Sequence, residues 1–300
     1  MLNTETPSSE HPDLDLYPTD KLVSVLIEDQ YHAIRAVSNA GPQIAAAVDA
    51  AAPRILAGGR LVYVGAGTSG RLGVLDGVEL LPTFSWPNER ALALLAGGRQ
   101  AMFVAVEGAE DNAEQGAEEI AELALSKNDV VLLIAASGAT PYVLGALQAA
   151  RATGALTIGL ANNPNAPVTT AADIGITLDT GNEVISGSTR LKAGTSQKVA
   201  LNSFSSALMV RLHKVYGNLM VDVKPTNIKL LRRTVSLTMH ATGRDEAYCR
   251  RILEECDFHV KTAIVAILNH ISVDAATARL KVSEDNVRLA LHADDPHSRR

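Results

Sequence analysis

The chain has 300 residues, of which 47% are hydrophobic and 4% aromatic, and its formal net charge is −6. This length is enough for one large hydrophobic core and a small additional domain. The acidic charge and the lack of a lysine- or arginine-rich block argue against binding to nucleic acids or to membrane surfaces.

The first part of the chain is predicted to be an arm followed by two helices. Residues 1–20 are rich in proline, serine, threonine and aspartate, which favours an arm or loop rather than core. Amphipathic helices are predicted over Asp20–Val37 and Pro42–Leu56, and Gly58 and Gly59 end the second helix. The arm lacks the basic start and the apolar stretch of a signal peptide.

Short apolar strands then alternate with helices. The predicted strands are Leu61–Val64, Ala91–Ala96, Val130–Ala135, Leu156–Ala161 and Ile174–Leu178. The helices predicted between them start near Arg71 and cover Asn112–Leu125 and Thr140–Ala152. Strands that alternate with helices predict right-handed crossovers and a parallel sheet.

Only helical signals follow the last strand. A long apolar-striped helix is predicted over Gly194–Tyr216, and Gly217 ends it. The later predicted helices are Asn227–Met239, Arg244–Cys256, Val260–Asn269 and Ala275–Leu291. The predicted fold class is therefore α/β, a doubly wound parallel sheet flanked by helices, with a small C-terminal helical bundle. Its predicted regions are an N-terminal arm with helices over 1–55, the sheet domain over 56–220 and a helical region over 221–300.

The remaining compositional signals indicate a cytoplasmic protein. The longest apolar run, Val130–Ala136, is too short to span a bilayer. Cys249 and Cys256 fit neither a zinc pattern nor a disulfide framework, and such thiols are typical of a reducing compartment. We therefore predict a cytoplasmic location and no metal site.

Glycines and hydroxyl side chains follow the first predicted strand. The segment Gly65–Gly70 has the spacing GxGxxG, which also occurs in dinucleotide-binding loops. A dinucleotide site needs an acidic residue after the second strand, but Gly97–Arg99 stands there. Thr68 and Ser69 suit a phosphomonoester better, because both hydroxyls can donate hydrogen bonds to it. Together with Gly67 they are candidate phosphate-binding residues.

A similar loop follows the third predicted strand and contains Ser137, Gly138 and Thr140. In an open parallel sheet, the loops after the first and third strands can meet where the strand order switches. Helix N-termini at that point favour anions. Each loop alone is also typical of an ordinary capped turn, but their joint placement predicts a phosphate site without any basic residue.

A third polar loop lies between the last strand and the long helix. Its hydroxyls and cations suit a phosphate or the hydroxyls of a sugar, although a solvated loop with helix-capping side chains is the simpler interpretation. The candidate binding residues are Glu183, Ser186, Ser188, Thr189, Arg190 and Lys192.

Two glutamates are candidates for proton transfer. Glu79 lies late in the helix after the first loop, among apolar residues that would favour its neutral form, as an acid requires. Glu110 lies just before a helix, where the helix dipole favours the ionised form that a base requires. A solvated or capping role is the alternative for each of them.

Several segments together resemble the signature of the N-acetylmuramic acid 6-phosphate etherase family, whose enzymes have a sugar-isomerase (SIS) domain. The matching segments are Val64–Gly73, Val106–Asp111, Ala135–Val143, Ser186–Lys198 and Gly217–Asn227. The resemblance runs from about Thr4 to the last helices. It implies an SIS-type sheet domain with a ubiquitin-associated-type three-helix bundle at the C-terminus. The glucokinase regulatory protein shares part of the signature but is longer and has two SIS domains.

The resemblance also implies a reaction. The family cleaves the lactyl ether of N-acetylmuramate 6-phosphate, giving N-acetylglucosamine 6-phosphate and D-lactate by elimination and then hydration. By match to the family motifs, Glu79 is the proton donor and Glu110 the second catalytic carboxylate, acting as base. No metal or organic cofactor is expected, because the aldehyde of the ring-opened substrate already acidifies the proton on C2.

The resemblance implies a homodimer whose partner chain completes each site, and the apolar helix from Gly194 is a candidate contact surface. The chain departs from the family around the proposed acid, where Gly77–Pro82 is more apolar than usual, and at Ser8, where asparagine is usual. The alternative function is a non-catalytic sugar-phosphate sensor resembling the glucokinase regulator. An aldose–ketose isomerase on the same fold is a third hypothesis.

Overall fold

The computed structural model describes residues 3–223, 225 and 227–292. Contacts between Cα atoms divide the chain into two compact units. The first is Met1–Val78 with Asn88–Leu208, and the second is Glu79–Pro87 with Met209–Arg300. The region boundaries predicted after residues 55 and 220 remain predictions. Parts of the predicted arm and C-terminal region, residues 1, 2, 224, 226 and 293–300, lie outside the described residues.

The first unit contains a five-stranded parallel sheet in the order β2-β1-β3-β4-β5, which confirms the predicted α/β class. Its strands are β1 (Leu61–Gly65), β2 (Ala91–Leu95), β3 (Val130–Ile134), β4 (Leu156–Ala161) and β5 (Ile174–Thr177). β1, β3 and β4 are buried at every residue. Both faces of these strands are therefore covered, as the continuous apolar runs predict.

Helices flank the sheet. They are α1 (Thr19–Asn39), α2 (Gly41–Leu56), α3 (Gly67–Phe84), α4 (Ala113–Glu122), α5 (Pro141–Ala152), α6 (Pro167–Ala171) and α7 (Lys192–Arg211). Short 3₁₀ turns at Asn3–Glu5, Leu14–Leu16, Asn88–Arg90, Arg99–Met102 and Ala109–Asp111 join them. α5 packs on β1, β3 and β4, and α2 packs on β3, β4 and β5.

One core cluster lies between the sheet and α5. Residues two apart on a strand share a face, so Val62 and Val64 of β1 point the same way as Val131 and Leu133 of β3. Tyr142 and other side chains of α5 pack against them, all fully or almost fully buried. Each Å² of apolar surface buried here stabilises the fold by about 25 cal/mol. This packing holds β1 and β3 in place.

The second unit contains a short antiparallel hairpin and five helices among its described residues. The hairpin strands are β6 (Val215–Tyr216) and β7 (Leu219–Met220), and the helices are α8 (Ile228–Thr242), α9 (Glu246–Glu255), α10 (Val260–Asn269), α11 (Val273–Val282) and α12 (Val287–Leu291). α10 is its centre and contacts the four other helices. The single helix predicted over Ala275–Leu291 is in fact two, because Glu284 and Asp285 have positive φ and end the first.

No single helix among the described residues is long and apolar enough to cross a membrane. The bent pair α10 and α11 meets that length and composition test together, but residues 260–267 of α10 are all buried in the core of the second unit.

Candidate active site

The carboxyl ends of β1 and β3 lie side by side. The two strands pair in parallel, with Gly65 opposite Ile134 at their last residues. β1 pairs with β2 on its other side, so the order of strands switches between β1 and β3. The loops after these strands therefore start next to each other, as the sequence predicts.

The first loop turns sharply from β1 into α3. A Cβ on Gly65 would lie 2.7 Å from the Cα of Gly70, and a Cβ on Gly70 would lie 2.5 Å from the Gly65 carbonyl oxygen. Only glycines allow this approach, which brings the first turn of α3 against the strand end. That turn carries Gly67, which has a φ of 53°, followed by Thr68 and Ser69.

The two hydroxyls of the first loop are available to a ligand. Ser69 is 7% exposed and Thr68 is half-buried, so both are held against the protein. Within the described part of the chain, neither hydroxyl takes part in a hydrogen bond. They stand at the N-terminus of a helix, where free backbone N–H groups and the helix dipole attract anions.

The second loop has the same character. Gly138 has a φ of 72°, and a Cβ there would lie 2.3 Å from the Cβ of Ala166. The Ser137 hydroxyl oxygen accepts a hydrogen bond from the Ala139 N–H at 3.2 Å, which leaves its own proton free to donate. Thr140 precedes α5 and its hydroxyl does not cap the helix. Two hydroxylated helix starts thus adjoin at the strand switch.

Glu183 of the third loop is a helix cap. Its carboxylate accepts hydrogen bonds from the backbone N–H groups of Lys192, at 3.1 Å, and Ala193, at 2.9 Å. The side chain is fully buried, and this burial raises the pKa of Glu183 although both hydrogen bonds oppose the shift. Both of its oxygens are occupied by the start of α7.

Lys192 is also engaged within the chain. Its Nζ lies 2.6 Å from Asp29 Oδ1 on α1, and the two side chains are only 5% and 12% exposed. The ammonium is therefore neutralised by a buried carboxylate. The pair fixes α1 against the start of α7.

The other candidates of the third loop remain available. Ser186 and Arg190 are exposed, and Ser188 and Thr189 are half-buried. The Thr189 carbonyl accepts a hydrogen bond from the Gly194 N–H at 2.9 Å. A Cβ on Gly194 would lie 3.3 Å from Thr68 Cγ2, so the first loop reaches the start of α7.

Two buried asparagines follow β4 and were not predicted from the sequence. Asn162 donates to Ser196 Oγ at 2.8 Å and accepts from Gln197 Nε2 at 2.9 Å, which fixes the first turns of α7. Asn163 donates to the Ala136 carbonyl of the second loop at 3.0 Å. Their only sequence signal is a pair of polar side chains at a strand end, which equally fits an exposed turn.

Both candidate catalytic glutamates are exposed. Glu79 lies in α3, and its neighbour Val78 is 61% exposed. The carboxyl group of Glu79 is thus in contact with solvent in a single chain, although the next residue, Leu80, is buried. Glu110 lies in the 3₁₀ turn before α4, where Asn112 caps the helix by accepting from the Gln115 N–H. By contacts, Glu79 belongs to the second unit and Glu110 to the first.

A buried hydrogen-bond network fixes α3 one turn before Glu79. Asp76 accepts a hydrogen bond from the Tyr63 hydroxyl of β1 at 2.7 Å and another from Ser205 of α7 at 3.2 Å. Burial, with the charge of Asp76, raises the pKa of Tyr63 well above its usual value. The tyrosine therefore stays a donor, and α3 has a fixed rotation about its axis.

No group of three or more histidine, cysteine, aspartate or glutamate side chains placed to hold a metal ion occurs in residues 3–223, 225 and 227–292.

Two family descriptions match the sequence. Residues 43–151 match the glucokinase regulatory protein N-terminal SIS domain, and residues 112–207 match the SIS domain. Both matches cover strands whose ends carry the hydroxylated loops.

Bacterial proteins named N-acetylmuramic acid 6-phosphate etherase are similar over nearly their whole length. The protein from Deinococcus radiodurans is 54% identical over 96% of this chain and 94% of its own length. The protein from Cutibacterium acnes is 47% identical over 100% and 98%, and that from Aeromonas hydrophila is 46% identical over 96% and 97%.

A solved structure shares the fold at low sequence identity. The phosphoheptose isomerase from Francisella tularensis is 20% identical, with a TM-score of 0.51 over 65% of this chain and 100% of that chain. It supports the SIS-type architecture of the sheet.

Proposed function

The chain belongs to the N-acetylmuramic acid 6-phosphate etherase family, and on that premise we propose that it cleaves the D-lactyl ether of N-acetylmuramate 6-phosphate. The products are N-acetylglucosamine 6-phosphate and D-lactate. The observation that carries the proposal is 54% identity to a protein of that name across 96% of the chain. The reaction makes the chain a carbon–oxygen lyase.

The phosphate of the substrate binds at the β1–β3 switch. Thr68 and Ser69 donate from the start of α3, and Ser137 and Thr140 donate from the start of α5. Support comes from the free hydroxyl protons and from the adjoining strand ends. A dianionic monoester at helix N-termini gains charge-assisted hydrogen bonds and needs no lysine.

The chemistry is elimination followed by hydration on the ring-opened sugar. Glu110 takes the proton from C2, and the C2–H electron pair forms a double bond to C3. The C3–O bond to lactate breaks as Glu79 donates its proton to the departing oxygen. Water then adds: its oxygen bonds to C3 as Glu79 takes a proton back from it, and Glu110 returns its proton to C2. General acid–base catalysis of this kind contributes about 10²–10⁴-fold for each group.

A second copy of the chain completes each site. The support is that Glu79 and Glu110 are both exposed in one chain, whereas proton transfer at a carbon acid is favoured where water is excluded. The apolar side chains of α7 that suggested it as a contact surface, Ala200, Leu201 and Phe204, are buried inside one chain. A dimer contact through α7 would therefore use the exposed residues of that helix rather than these three.

We assign the cytoplasm as the compartment of the enzyme. Cys249 and Cys256 are both buried and unbonded, and burial raises the pKa of Cys256 to about 11, so these thiols are unreactive rather than poised for oxidation. The proposed substrate supports the same compartment, because a charged sugar phosphate does not cross a membrane unaided.

Incubation of the purified protein with N-acetylmuramate 6-phosphate tests the proposal. The expected result is D-lactate and N-acetylglucosamine 6-phosphate in equal amounts. Binding of the substrate without lactate release would indicate a sensor instead. Exchange of the C2 proton and formation of a ketose, with the ether intact, would indicate an isomerase.

A further inference from the structure

The N-terminal arm is latched onto the carboxyl end of the sheet. Thr4 is fully buried, which is unusual for a polar residue. Its backbone N–H donates to Asn163 Oδ1 at 3.3 Å, and its hydroxyl accepts from Asn163 Nδ2 at 3.0 Å. Asn163 in turn holds the Ala136 carbonyl of the second loop, so the arm is tied to the phosphate site.

Two more contacts fix the course of the arm. Asn3 Nδ2 donates to Asp179 Oδ1 at 3.4 Å, and Asn182 Nδ2 donates to the Pro7 carbonyl at 3.4 Å. Asp179 and Asn182 both follow β5, at the edge of the sheet where ligands bind in parallel α/β folds.

This course brings the carboxylate of Glu5 to the third loop. Glu5 is exposed, and its Oε2 lies 3.6 Å from the position that a Cβ on Gly187 would take. Gly187 lies in the third loop between the candidate ligands Ser186 and Ser188 and has a φ of 75°. The Glu5 carboxylate therefore lies at van der Waals distance from the segment of the third loop that carries the two hydroxyls.

We propose that Glu5 is a sugar-binding residue that the Thr4 latch positions beside the third loop. This inference rests on the proposed function of the same site. A carboxylate is repelled by the phosphate and by the lactyl carboxylate, so it does not bind either of them. It accepts hydrogen bonds from the neutral donors of the sugar, its hydroxyl groups and the N–H of its acetamide.

The geometry accounts for a feature that a free arm would not need. An exposed glutamate on a loose arm would lose side-chain and backbone entropy on binding the sugar. The buried Thr4 fixes the backbone before the ligand arrives, so this cost is borne in folding. The hydrogen bonds between Thr4 and Asn163, the Thr4 latch, thus increase affinity by holding Glu5 in position.

Calorimetry with two ligands, N-acetylglucosamine 6-phosphate and inorganic phosphate, tests the inference. Glu5→Ala is expected to weaken binding of the sugar phosphate by about 10-fold to 100-fold, the range of charge-assisted hydrogen bonds. Binding of inorganic phosphate should not change. Glu5→Gln should weaken sugar-phosphate binding less than Glu5→Ala, because the amide keeps one acceptor. Glu10→Gln, the same change at an exposed arm position, is the matched control and should bind both ligands normally.

A double-mutant cycle tests the latch. Thr4→Val keeps the shape but removes the hydroxyl that accepts from Asn163, and it should weaken sugar-phosphate binding. Thr4→Val combined with Glu5→Ala should bind no more weakly than Glu5→Ala alone, since the latch acts through Glu5. The melting temperature of each variant distinguishes weaker binding from unfolding. Glu5→Ala should melt at the wild-type temperature, because it removes only an exposed side chain.

Wild-type affinity in Glu5→Ala, or equal losses for both ligands, would overturn the inference. Additive losses in the double variant would overturn the role of the latch. Failure of the proposed function appears differently: wild-type protein would bind N-acetylglucosamine 6-phosphate but release no D-lactate from the etherified substrate. Wild-type protein that binds neither ligand would overturn both proposals.

Discussion

Gly65 and Ile134, the last residues of β1 and β3, face each other across the parallel pairing of the two strands. The loops that follow β1 and β3 both begin at the carboxyl edge of the sheet. The hydroxyls of Ser69 and Ser137 therefore belong to adjacent loops. In the proposed function, this relationship lets the two turns act together as one anion site.

Removing two hydroxyls should weaken that anion site. The double variant Ser69→Ala with Ser137→Ala is expected to bind the sugar phosphate about 10²-fold to 10⁴-fold more weakly, because each of the two lost hydrogen bonds served a charged phosphate. Calorimetry with N-acetylglucosamine 6-phosphate measures this. Ser38→Ala, an exposed position on α1, is the control. Unchanged affinity in the double variant would place the phosphate elsewhere.

Glu79→Gln should abolish turnover while sugar-phosphate binding remains intact. The amide cannot donate a proton to the leaving lactate oxygen, and loss of one acid–base group costs about 10²–10⁴-fold in kcat. Lactate release and calorimetry measure the two properties separately. Glu89→Gln, an exposed change in the 3₁₀ turn before β2, should be fully active. Near-normal turnover of Glu79→Gln would exclude this residue as the acid.

Glu110→Gln should stop the first proton transfer. In heavy water, the wild-type protein should exchange the C2 proton of the sugar, and this variant should not, because the carboxylate proposed to remove the proton is gone. Nuclear magnetic resonance of the C2 position reports the exchange. Glu107→Gln, three residues earlier and also exposed, is the matched control. Normal exchange in Glu110→Gln would assign the base to another residue.

Gly138→Ala should destabilise the fold more than Gly154→Ala. Both glycines have similar positive φ, 72° and 78°, so both changes introduce backbone strain. At Gly138 the new Cβ would also lie 2.3 Å from Ala166 Cβ, whereas at Gly154 it meets only Lys127 Cβ at 3.9 Å. The expected losses are about 2–5 kcal/mol and about 1 kcal/mol. Denaturant unfolding measures both, and equal losses would show that space at Gly138 is not limiting.

Asp129 should stabilise the fold in a pH-dependent way. Burial opposes its ionisation, but hydrogen bonds from Arg60 and from backbone N–H groups outweigh burial and lower the pKa of Asp129 to about 2. A depressed pKa contributes stability that is present above the unfolded value of about 3.9 and is lost as the pH falls toward 2. Asp129→Asn should therefore cost about 2–3 kcal/mol at pH 7.

Denaturant unfolding of wild type and Asp129→Asn between pH 7 and pH 2.5 tests this. The difference between them should shrink as the solution is acidified through the window below pH 4. Asp15→Asn, an exposed aspartate, should show no such difference. A constant difference across the range would mean that the ion pair with Arg60 does not cause the stabilisation.

The sequence predicts the elements that depend on local pattern. Continuous apolar runs such as Val130–Ile134 form buried strands, because both faces of a parallel sheet are covered. Their polar ends predict the converging loops. Whether the candidate residues at those ends are neighbours depends only on the order of the strands in the sheet.

Features that depend on distant contacts were not predictable. The polar residue Thr4 carries no apolar pattern, and only its pairing with Asn163, far along the chain, buries it. The two-residue strands Val215–Tyr216 and Leu219–Met220 are too short to show a period. The apolar face of α7 could not be assigned from the sequence, because apolar periodicity does not distinguish a helix face buried in its own chain from one buried by a partner.

Isotope labelling tests the central claim most directly. The enzyme is incubated with N-acetylmuramate 6-phosphate in water enriched in oxygen-18, and the products are analysed by mass spectrometry. If the ether is broken by elimination and then hydration at this site, the label appears on C3 of N-acetylglucosamine 6-phosphate and not in D-lactate. Label in the lactate, or intact substrate after incubation, would contradict the account.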